Sequence, residues 1–278
     1  MLTPTTKPKL NIEATIAEIR KNYSEGQGRQ KLNALVIGDF GTGKTTLART
    51  CPFPVTMHSF DPGGSRVAFL KPYIDNGQIL VEEFNGADKK GKIEYKRYAA
   101  RFDQLKSGGY FSHMGTYFVD SMTSLSDTAM NYILDKGGRL GTNPQLQDYL
   151  VLQGLISNLC REWTNLPCNV IVTGHLDYRQ DEDSGKTYIG LMIVGRSKTK
   201  VPLLFDEVYI AKAIPGARHQ DGTPSTQYKL QTGTEGQYSA RTRIGAGKFL
   251  LLEEPDISTL MKKAGLEFKL ENGENNHA

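Results

Sequence analysis

Short apolar runs separated by polar segments organise the first two thirds of the chain. Five of these runs have the length and composition of buried strands, at residues 34–37, 55–60, 78–81, 115–121 and 168–175. Segments with helical spacing or composition follow most of them, at residues 45–49, 65–70, 124–134 and 144–163. Alternating strands and helices are typical of βαβ units, so the pattern predicts an α/β fold whose mostly parallel sheet has helices on both faces.

The N-terminal segment has a different pattern from the core. Asn11 can cap a helix that runs to about residue 23, on which one face carries Ile12, Ile16, Ile19 and Tyr23. Such a face either packs against its own domain or bridges two subunits. We therefore predict an N-terminal arm at residues 1–30.

From residue 176 onward, the chain changes to hairpin-like pairs, at residues 178–193, 206–213 and 227–243. These pairs predict antiparallel strands that complete the parallel sheet toward the C-terminus. We predict one domain over residues 31–265, followed by a polar, disordered tail at residues 266–278.

Composition limits the possible classes of protein less than the pattern of apolar and polar segments does. The 278 residues include 34 basic and 30 acidic side chains, and the net charge of +4 neither requires nor excludes nucleic acid as a partner. The three cysteines form no C-x-x-C pair, which argues against a structural zinc site or a disulfide framework and favours a reducing cytoplasm. No run approaches the ~20 apolar residues that cross a bilayer, so we expect a soluble protein without a membrane partner.

Residues 38–45 match the phosphate-binding pattern G-x-x-x-x-G-K-[ST], and they lie between an expected strand and an expected helix. In this pattern Lys44 reaches the β- and γ-phosphates, Thr45 gives its hydroxyl to Mg²⁺, and Thr46 contacts the α-phosphate. The sequence therefore predicts ATP and Mg²⁺ as cofactors. The expected nucleotide-binding residues are Gly38, Asp39, Phe40, Gly41, Thr42, Gly43, Lys44, Thr45 and Thr46.

Polar residues at the ends of other strands predict the rest of a catalytic site. Asp120 ends an apolar strand and is the expected second Mg²⁺ ligand. A general base is expected at the tip of the strand after the phosphate loop, where Asp61 is the candidate and Glu82 and Glu83 are alternatives. His175, at the end of a later strand, is the candidate sensor of the γ-phosphate.

Three further segments carry a resemblance to a known family. They are residues 60–64 (FDPGG), 118–125 (FVDSMTSL) and 170–175 (VIVTGH). Together with the phosphate loop, they resemble the RecA-like core of small phage ATPases, in particular the Sak-type single-strand annealing or recombination ATPases. The resemblance covers about residues 32–215. It implies ATP hydrolysis, a homo-oligomeric ring or filament, single-stranded DNA and a phage single-strand binding protein as partners, and the host cytoplasm as location. Gly63 stands near the position of the family's catalytic glutamate, which implies slow hydrolysis.

The same resemblance implies that residues 177–199 line DNA. The expected contacts are Arg179, Lys186, Arg196, Lys198 and Lys200, with Tyr178 and Tyr188 as stacking partners, although three acidic residues at 181–183 reduce the positive charge. An ordinary solvated hairpin is the other interpretation. The resemblance also lets Lys198 and Lys200, or Arg241 and Arg243, reach the γ-phosphate of a neighbouring subunit.

Two other functions compete with a recombination ATPase. One is a nucleotide-switched protein that docks a replication or packaging partner without touching DNA, an option that Gly63 favours. The other is a small-molecule kinase, which is weaker because no acceptor pocket or lid-like arginine cluster is evident beside the phosphate loop.

Overall fold

The computed structural model describes residues 11–27, 31–85, 94–180, 185, 187–218 and 221–266. The chain divides into two compact units, residues 1–30 and 31–278. The predicted C-terminal tail lies almost wholly outside the described residues. Within the described part of the chain, no helix combines the length and apolar character needed to span a membrane.

The first unit contains helix α1, Ile12–Gln27. Asn11 caps this helix as predicted, because its side-chain oxygen accepts a hydrogen bond from the backbone N–H of Ala14 at 3.1 Å.

The second unit is built on one large sheet and one small one. The strands are β1 (Asn33–Gly38), β2 (Val55–Ser59), β3 (Ile79–Glu83), β4 (Thr116–Asp120), β5 (Asn169–Gly174), β6 (Leu176–Gln180), β7 (Thr187–Leu191), β8 (Glu207–Pro215), β9 (Thr226–Gln231) and β10 (Leu252–Glu253). The eight-stranded sheet has the order β10-β9-β8-β1-β5-β4-β2-β3, and β6 pairs with β7 in a separate hairpin.

Strand direction agrees with the sequence prediction for the first five strands but not for all the later ones: residues 206–213, expected in an antiparallel pair, lie in the parallel strand β8, and the predicted hairpin at residues 178–193 forms a separate sheet instead of completing the large one. The six strands from β8 to β3 in this order are parallel, whereas β9 and β10 are antiparallel additions. Because parallel strands end at the same edge of a sheet, the C-terminal ends of β1, β2, β4 and β5 meet there. The predicted site residues follow or end these four strands.

Helices cover both faces of the sheet, which confirms the predicted fold class. The remaining helices are α2 (Lys71–Asp75), α3 (Glu94–Ser107), α4 (Met122–Lys136), α5 (Leu146–Thr164), α6 (Ser197–Lys200) and α7 (Ile257–Ala264). On one face, α3, α4 and α5 pack against alternate residues of β1 and β5, such as Leu35 and Val172. On the other face, α7 packs beside Ala34 and Ile171. Because successive side chains of a strand point to opposite faces of the sheet, each buried strand contributes apolar residues to two cores, one on each face.

The structure differs from the sequence prediction in three further places. The helix after the phosphate loop is a six-residue 3₁₀ helix, Thr45–Thr50, because Pro52 and Pro54 follow and force the chain into an extended conformation. The expected hairpin at residues 227–243 is only strand β9 followed by isolated bridges. Helix α3 was not predicted, although its buried Tyr95, Tyr98, Phe102 and Leu105 have helical spacing.

Candidate functional site

The phosphate loop closes on its own lysine. Gly41 and Gly43 have φ values of +73° and +82°, a left-handed conformation that glycine adopts without strain. The Thr42 hydroxyl donates to the carbonyl of Asp39 at 2.7 Å. The buried Nζ of Lys44 donates to the carbonyls of Gly38 and Asp39 at 2.8 and 2.6 Å. The ammonium therefore lies at the centre of the loop and keeps one further N–H for another acceptor.

Lys44 is held in a strongly acidic environment. Burial lowers the pKa of its ammonium, and the carboxylates of Asp120, Asp61 and Asp39 oppose that shift. The same three acidic side chains oppose the binding of an anionic ligand, an effect that a bound cation would offset.

Asp120 lies at the end of β4, with only 1% of its surface exposed. The Thr45 hydroxyl donates to its Oδ2 at 2.7 Å, across 75 residues of sequence, and the Thr173 hydroxyl donates to Oδ1. Burial raises the pKa of this carboxyl, while the two hydroxyl donors act against the increase. A buried carboxylate with a threonine hydroxyl beside it is an oxygen pair of the kind that Mg²⁺ prefers.

Asp61 follows β2 and lies beside Asp120. Its Oδ1 accepts hydrogen bonds from the hydroxyls of Ser121, at 3.0 Å, and Ser124. Its Oδ2 is 3.7 Å from Nε2 of His175. Burial favours a higher pKa for Asp61, but the nearby His175 and the hydrogen bonds from Ser124 and Ser121 outweigh burial and hold the pKa below its usual value. Asp61 is therefore a well-anchored anion.

Gly64 allows the segment after Asp61 to approach the site closely. A Cβ at this position would lie 2.8 Å from the Ser59 hydroxyl and 3.2 Å from Oδ2 of Asp120. Any other side chain would therefore crowd the carboxylate that faces Thr45. The sequence pattern contained this glycine, but only the fold shows why it is required.

The residues expected at the site surround one pocket of about 490 Å³. Its lining includes residues 40–47, together with Asp61, Asp120 and His175. His175 is anchored through its backbone N–H, which donates to the Thr123 hydroxyl at 3.0 Å. The alternative acids, Glu82 and Glu83, are not among the lining residues.

Glu82 has a structural partner on each side. It forms an ion pair with Arg101 at 2.6 Å and lies 3.2 Å from Nε2 of the buried His58. The close contact with His58 and the hydrogen bonds from Arg101 lower its pKa to about 2. A carboxylate held in this way is a poor proton acceptor, so Asp61 is the better placed of the candidate bases.

One side of the pocket is apolar and was not anticipated from the sequence. It is lined by Val67, Phe69, Tyr228 and Pro255. The guanidinium of Arg49 lies 5.4 Å from the centre of the Phe69 ring. These residues come from four separate segments of the chain, so no local pattern could have grouped them.

The β6–β7 hairpin contacts the phosphate loop directly. The Tyr178 hydroxyl donates to Oδ2 of Asp39 at 2.6 Å. Burial, and then the Asp39 carboxylate, raise the pKa of this phenol, so it stays protonated and able to donate. The hairpin is therefore tied to the second residue of the loop by a charge-assisted hydrogen bond.

The cations expected to contact DNA have different environments. Lys198 forms an ion pair with Asp177, whereas Arg196 and Lys200 are exposed. The side chain of Arg179 and the whole of Lys186 lie outside the described part of the structure.

Arg241 and Arg243 are both engaged within the chain. Arg241 donates to the carbonyls of Pro202 and Phe205, and Arg243 lies 3.2 Å from Asp206. Of the four cations expected to reach a neighbouring γ-phosphate, Lys198 and Arg243 have carboxylate partners, whereas Lys200 and Arg241 have none among the described residues.

The donor set fits a nucleotide-bound magnesium ion better than a resident metal centre. Within the described ranges, no group of three or more His, Cys, Asp or Glu side chains could hold a metal ion. Magnesium in phosphate sites typically takes only one or two protein oxygens and completes its shell with phosphates and waters. The Thr45 hydroxyl and the Asp120 carboxylate match that requirement.

Comparison with known proteins identifies the family. A family model described as "AAA domain" matches residues 30–244. The crystal structure of the flagellar accessory protein FlaH from Methanocaldococcus jannaschii shares 11% identity at a TM-score of 0.39, over 82% of this chain and 88% of that one. The structure of a prototypical ATPase from the type III secretion system of pathogenic bacteria shares 15% identity at a TM-score of 0.44, over 65% of this chain and 51% of that one. With TM-scores below 0.5, neither likeness bears on function. No curated protein matches the sequence.

Proposed function

The chain belongs to the AAA domain family of nucleotide-binding ATPases, and on that premise we propose that it hydrolyses ATP slowly and uses the nucleotide to control single-stranded DNA binding. As an oligomer, it would support annealing or recombination. The oligomer, the DNA and the phage setting rest on the resemblance of the motifs to Sak-type ATPases, and the hydrolytic site rests on the geometry around Asp120.

The observation that carries the ATPase proposal is the 2.7 Å contact between the Thr45 hydroxyl and Asp120. It joins the phosphate loop to the acidic strand end, which are the two elements that a magnesium–nucleotide site needs. Lys44 binds phosphate through its third ammonium N–H, since the carbonyls of Gly38 and Asp39 accept the other two. Mg²⁺, when bound with ATP, neutralises phosphate charge during transfer and offsets the carboxylates around Lys44.

Asp61 is the residue proposed to orient the attacking water. Its position beside Asp120 and His175 supports that role, and the two serine donors, together with the nearby His175, keep the carboxylate ionised. The same donors make it a weak base. Position 63, where the resembling family has its glutamate, is a glycine. Both features support slow hydrolysis.

The apolar side of the pocket is proposed to hold the base of the nucleotide. An aromatic ring with a guanidinium stacked on it, such as Phe69 with Arg49, offers a flat surface for a second aromatic ring.

Control of DNA binding by nucleotide is supported by the hydrogen bond between Tyr178 and Asp39. Any movement of the loop on nucleotide binding changes the position of Asp39, and Tyr178 transmits that change to the hairpin. Arg196 and Lys200, near the base of the hairpin, are the cations proposed to contact DNA phosphates.

An exposed apolar face supports the alternative function, a nucleotide-switched docking protein. Leu146 and Leu150 on α5 are 74% and 63% exposed, and Val151 lies beside them. Apolar side chains clustered on a surface are typical of interaction sites. In this alternative the hairpin would report the nucleotide state to a partner instead of binding DNA.

The test is ATP hydrolysis by the wild type and by Lys44→Ala, with and without single-stranded DNA, at two salt concentrations. Lys71→Ala is the matched control, because Lys71 is an exposed lysine of α2 that forms an ion pair with Asp75 on the same helix. Stimulation by DNA that Lys44→Ala abolishes and Lys71→Ala retains supports the proposal. Hydrolysis that ignores DNA, in a protein that does not bind DNA, favours the docking alternative. Unchanged hydrolysis in Lys44→Ala or in Asp120→Ala would contradict the assigned site.

The DNA contact is tested separately with the double variant Arg196→Gln/Lys200→Gln. Binding to a fluorescent oligonucleotide should weaken, and the slope of log affinity against log salt should fall by about 0.7 for each lost phosphate contact. Lys71→Gln/Lys136→Gln removes the same charge at exposed sites on α2 and α4 and should change neither quantity. Equal losses in both double variants would show a general charge effect and rule out this contact.

A further inference from the structure

A second cavity, of about 650 Å³, lies beside the β6–β7 hairpin and is called the hairpin pocket below. Its walls come from the hairpin, from α6 and the following turn Val201–Leu204, from the start of β8 and from residues 234–241. Among the residues that the structure describes, it shares no lining residue with the nucleotide pocket, although Ile37 in its wall directly precedes the phosphate loop. Its volume is in the range of pockets that hold small molecules.

The walls of the hairpin pocket are mainly apolar. Ile189, Leu191, Val208 and Ala240 belong to the buried core and also line the cavity, and Leu203 at its rim is 61% exposed. Apolar walls of this kind favour a ligand with an apolar body, because water in contact with them is released when they are covered.

One cation in the hairpin pocket has no counter-charge among the described residues. Arg241 donates from Nη2 to the carbonyls of Pro202 and Phe205, at 2.9 and 2.7 Å, but no described carboxylate pairs with it. Its Nε is buried and has no hydrogen-bond partner. Lys198, the other cation of the lining, is neutralised by Asp177. Because the buried Nε is out of reach of a ligand, it is the charge of the guanidinium lining the cavity, which no described carboxylate compensates, that favours an anion there.

We infer that the hairpin pocket binds a small molecule that has an apolar body and one anionic group, with the anion held by Arg241. The apolar walls select the body of the ligand, and the uncompensated guanidinium selects its charge. Because the pocket is separate from the phosphate loop, this inference does not depend on the proposed ATPase function.

The experiment compares two fluorescent probes on the intact chain. Anilinonaphthalene sulfonate has an apolar body and one anionic group, and phenylnaphthylamine has nearly the same body without the anion. The sulfonate should bind saturably at one site, and the neutral probe about tenfold more weakly or worse, since a charge-assisted hydrogen bond is worth at least that factor. Equal affinity for the two probes, or no saturable binding, would overturn the inference.

Matched glycine variants locate the probe. Gly190 lines the hairpin pocket, and a Cβ there meets no atom within 4 Å, so Gly190→Gln should fold normally and reduce sulfonate binding about tenfold or more by occupying the cavity. Gly154 on α5 has equally open surroundings, and Gly154→Gln should leave binding unchanged. Equal affinity of the two variants for the sulfonate would show that the probe binds outside the hairpin pocket. Displacement of the probe by Mg²⁺–ADP would show the same.

Arg241→Gln tests the anion contact itself. Sulfonate affinity should fall toward that of the neutral probe, while neutral-probe affinity stays constant. Unchanged sulfonate affinity in a folded variant would refute the role of Arg241. If the variant does not fold, because its bonds to Pro202 and Phe205 are lost, the comparison of the two probes on the wild type still decides the question.

Discussion

The hydrogen bond from Thr173 to Asp120 makes a quantitative prediction about the buried carboxylate. Thr173 lies on β5, next to the strand β4 that ends in Asp120, and the side chains of Thr173 and Asp120 are both buried. Thr173→Val preserves the shape of the side chain but removes the donor to Oδ1, which leaves Asp120 with the Thr45 hydroxyl. The hydroxyl also lies 3.4 Å from the carbonyl of Val119, a longer contact, so the variant tests mainly the hydrogen bond to a carboxylate that has 1% of its surface exposed.

The expected cost can be estimated from that burial. Leaving a buried acceptor without its donor costs about 1–3 kcal/mol, and a charged acceptor lies in the upper part of that range, so we expect about 2 kcal/mol of unfolding free energy at pH 7. Thr173→Ser is the control. It keeps the hydroxyl and loses one methyl group, at a cost of about 1 kcal/mol.

The pH dependence gives a second readout. Burial raises the pKa of Asp120 and the Thr173 hydroxyl opposes this, so Thr173→Val should raise the pKa further. When the pKa in the folded state is raised, the folded protein binds the proton more tightly than the unfolded chain does. The associated stability is present at low pH and is lost as pH rises through the folded-state pKa. The difference between Thr173→Val and the wild type should therefore grow with rising pH.

Urea unfolding without nucleotide or magnesium measures these differences. Trp163 is the only tryptophan and is fully buried, so its fluorescence reports the unfolding of the core. If Thr173→Ser proves as costly as Thr173→Val, or the cost of Thr173→Val does not change with pH, the hydrogen bond to an ionised Asp120 is not the source of the effect.

Two further predictions follow from contacts outside the Asp120 cluster. Tyr178→Phe and Asp39→Asn should show a coupling free energy of about 1 kcal/mol in a double-mutant cycle of urea unfolding, since the hydrogen bond between the two side chains is charge-assisted but Tyr178 is 49% exposed. Additive effects of the two substitutions would mean that the hairpin and the loop are not linked. Cys51, Cys160 and Cys168 are all buried, and burial raises the pKa of each thiol. The native protein should therefore not react with a thiol reagent at neutral pH, whereas urea should expose three reactive thiols. Rapid labelling without urea would contradict this prediction.

Local patterns were enough to locate most of the candidate site. The phosphate loop is a contiguous motif, and Asp61, Asp120 and His175 each follow or end an apolar run. Since parallel strands end at a common edge, these patterns were sufficient to expect the residues around one pocket, where the structure has them. Their roles as base, metal ligand and sensor stay predictions. The same rule could not separate Asp61 from Glu82, because Asp61 follows one strand and Glu82 lies at the end of another strand of the same sheet.

The tertiary structure made that distinction and others that depend on contacts between distant segments. Strand β3 lies at the sheet edge, where Glu82 meets Arg101 and His58 instead of the pocket. The position of β5 between β1 and β4 brings Thr173 to Asp120.

Neither the stacking of Arg49 on Phe69 nor the bond from Tyr178 to Asp39 has a signal in the neighbouring sequence. Hydrophobic periodicity and short motifs describe the surroundings of a residue along the chain. Strand order and the packing of loops depend on the free energy of the whole fold, and for this reason they could be read only from the structure.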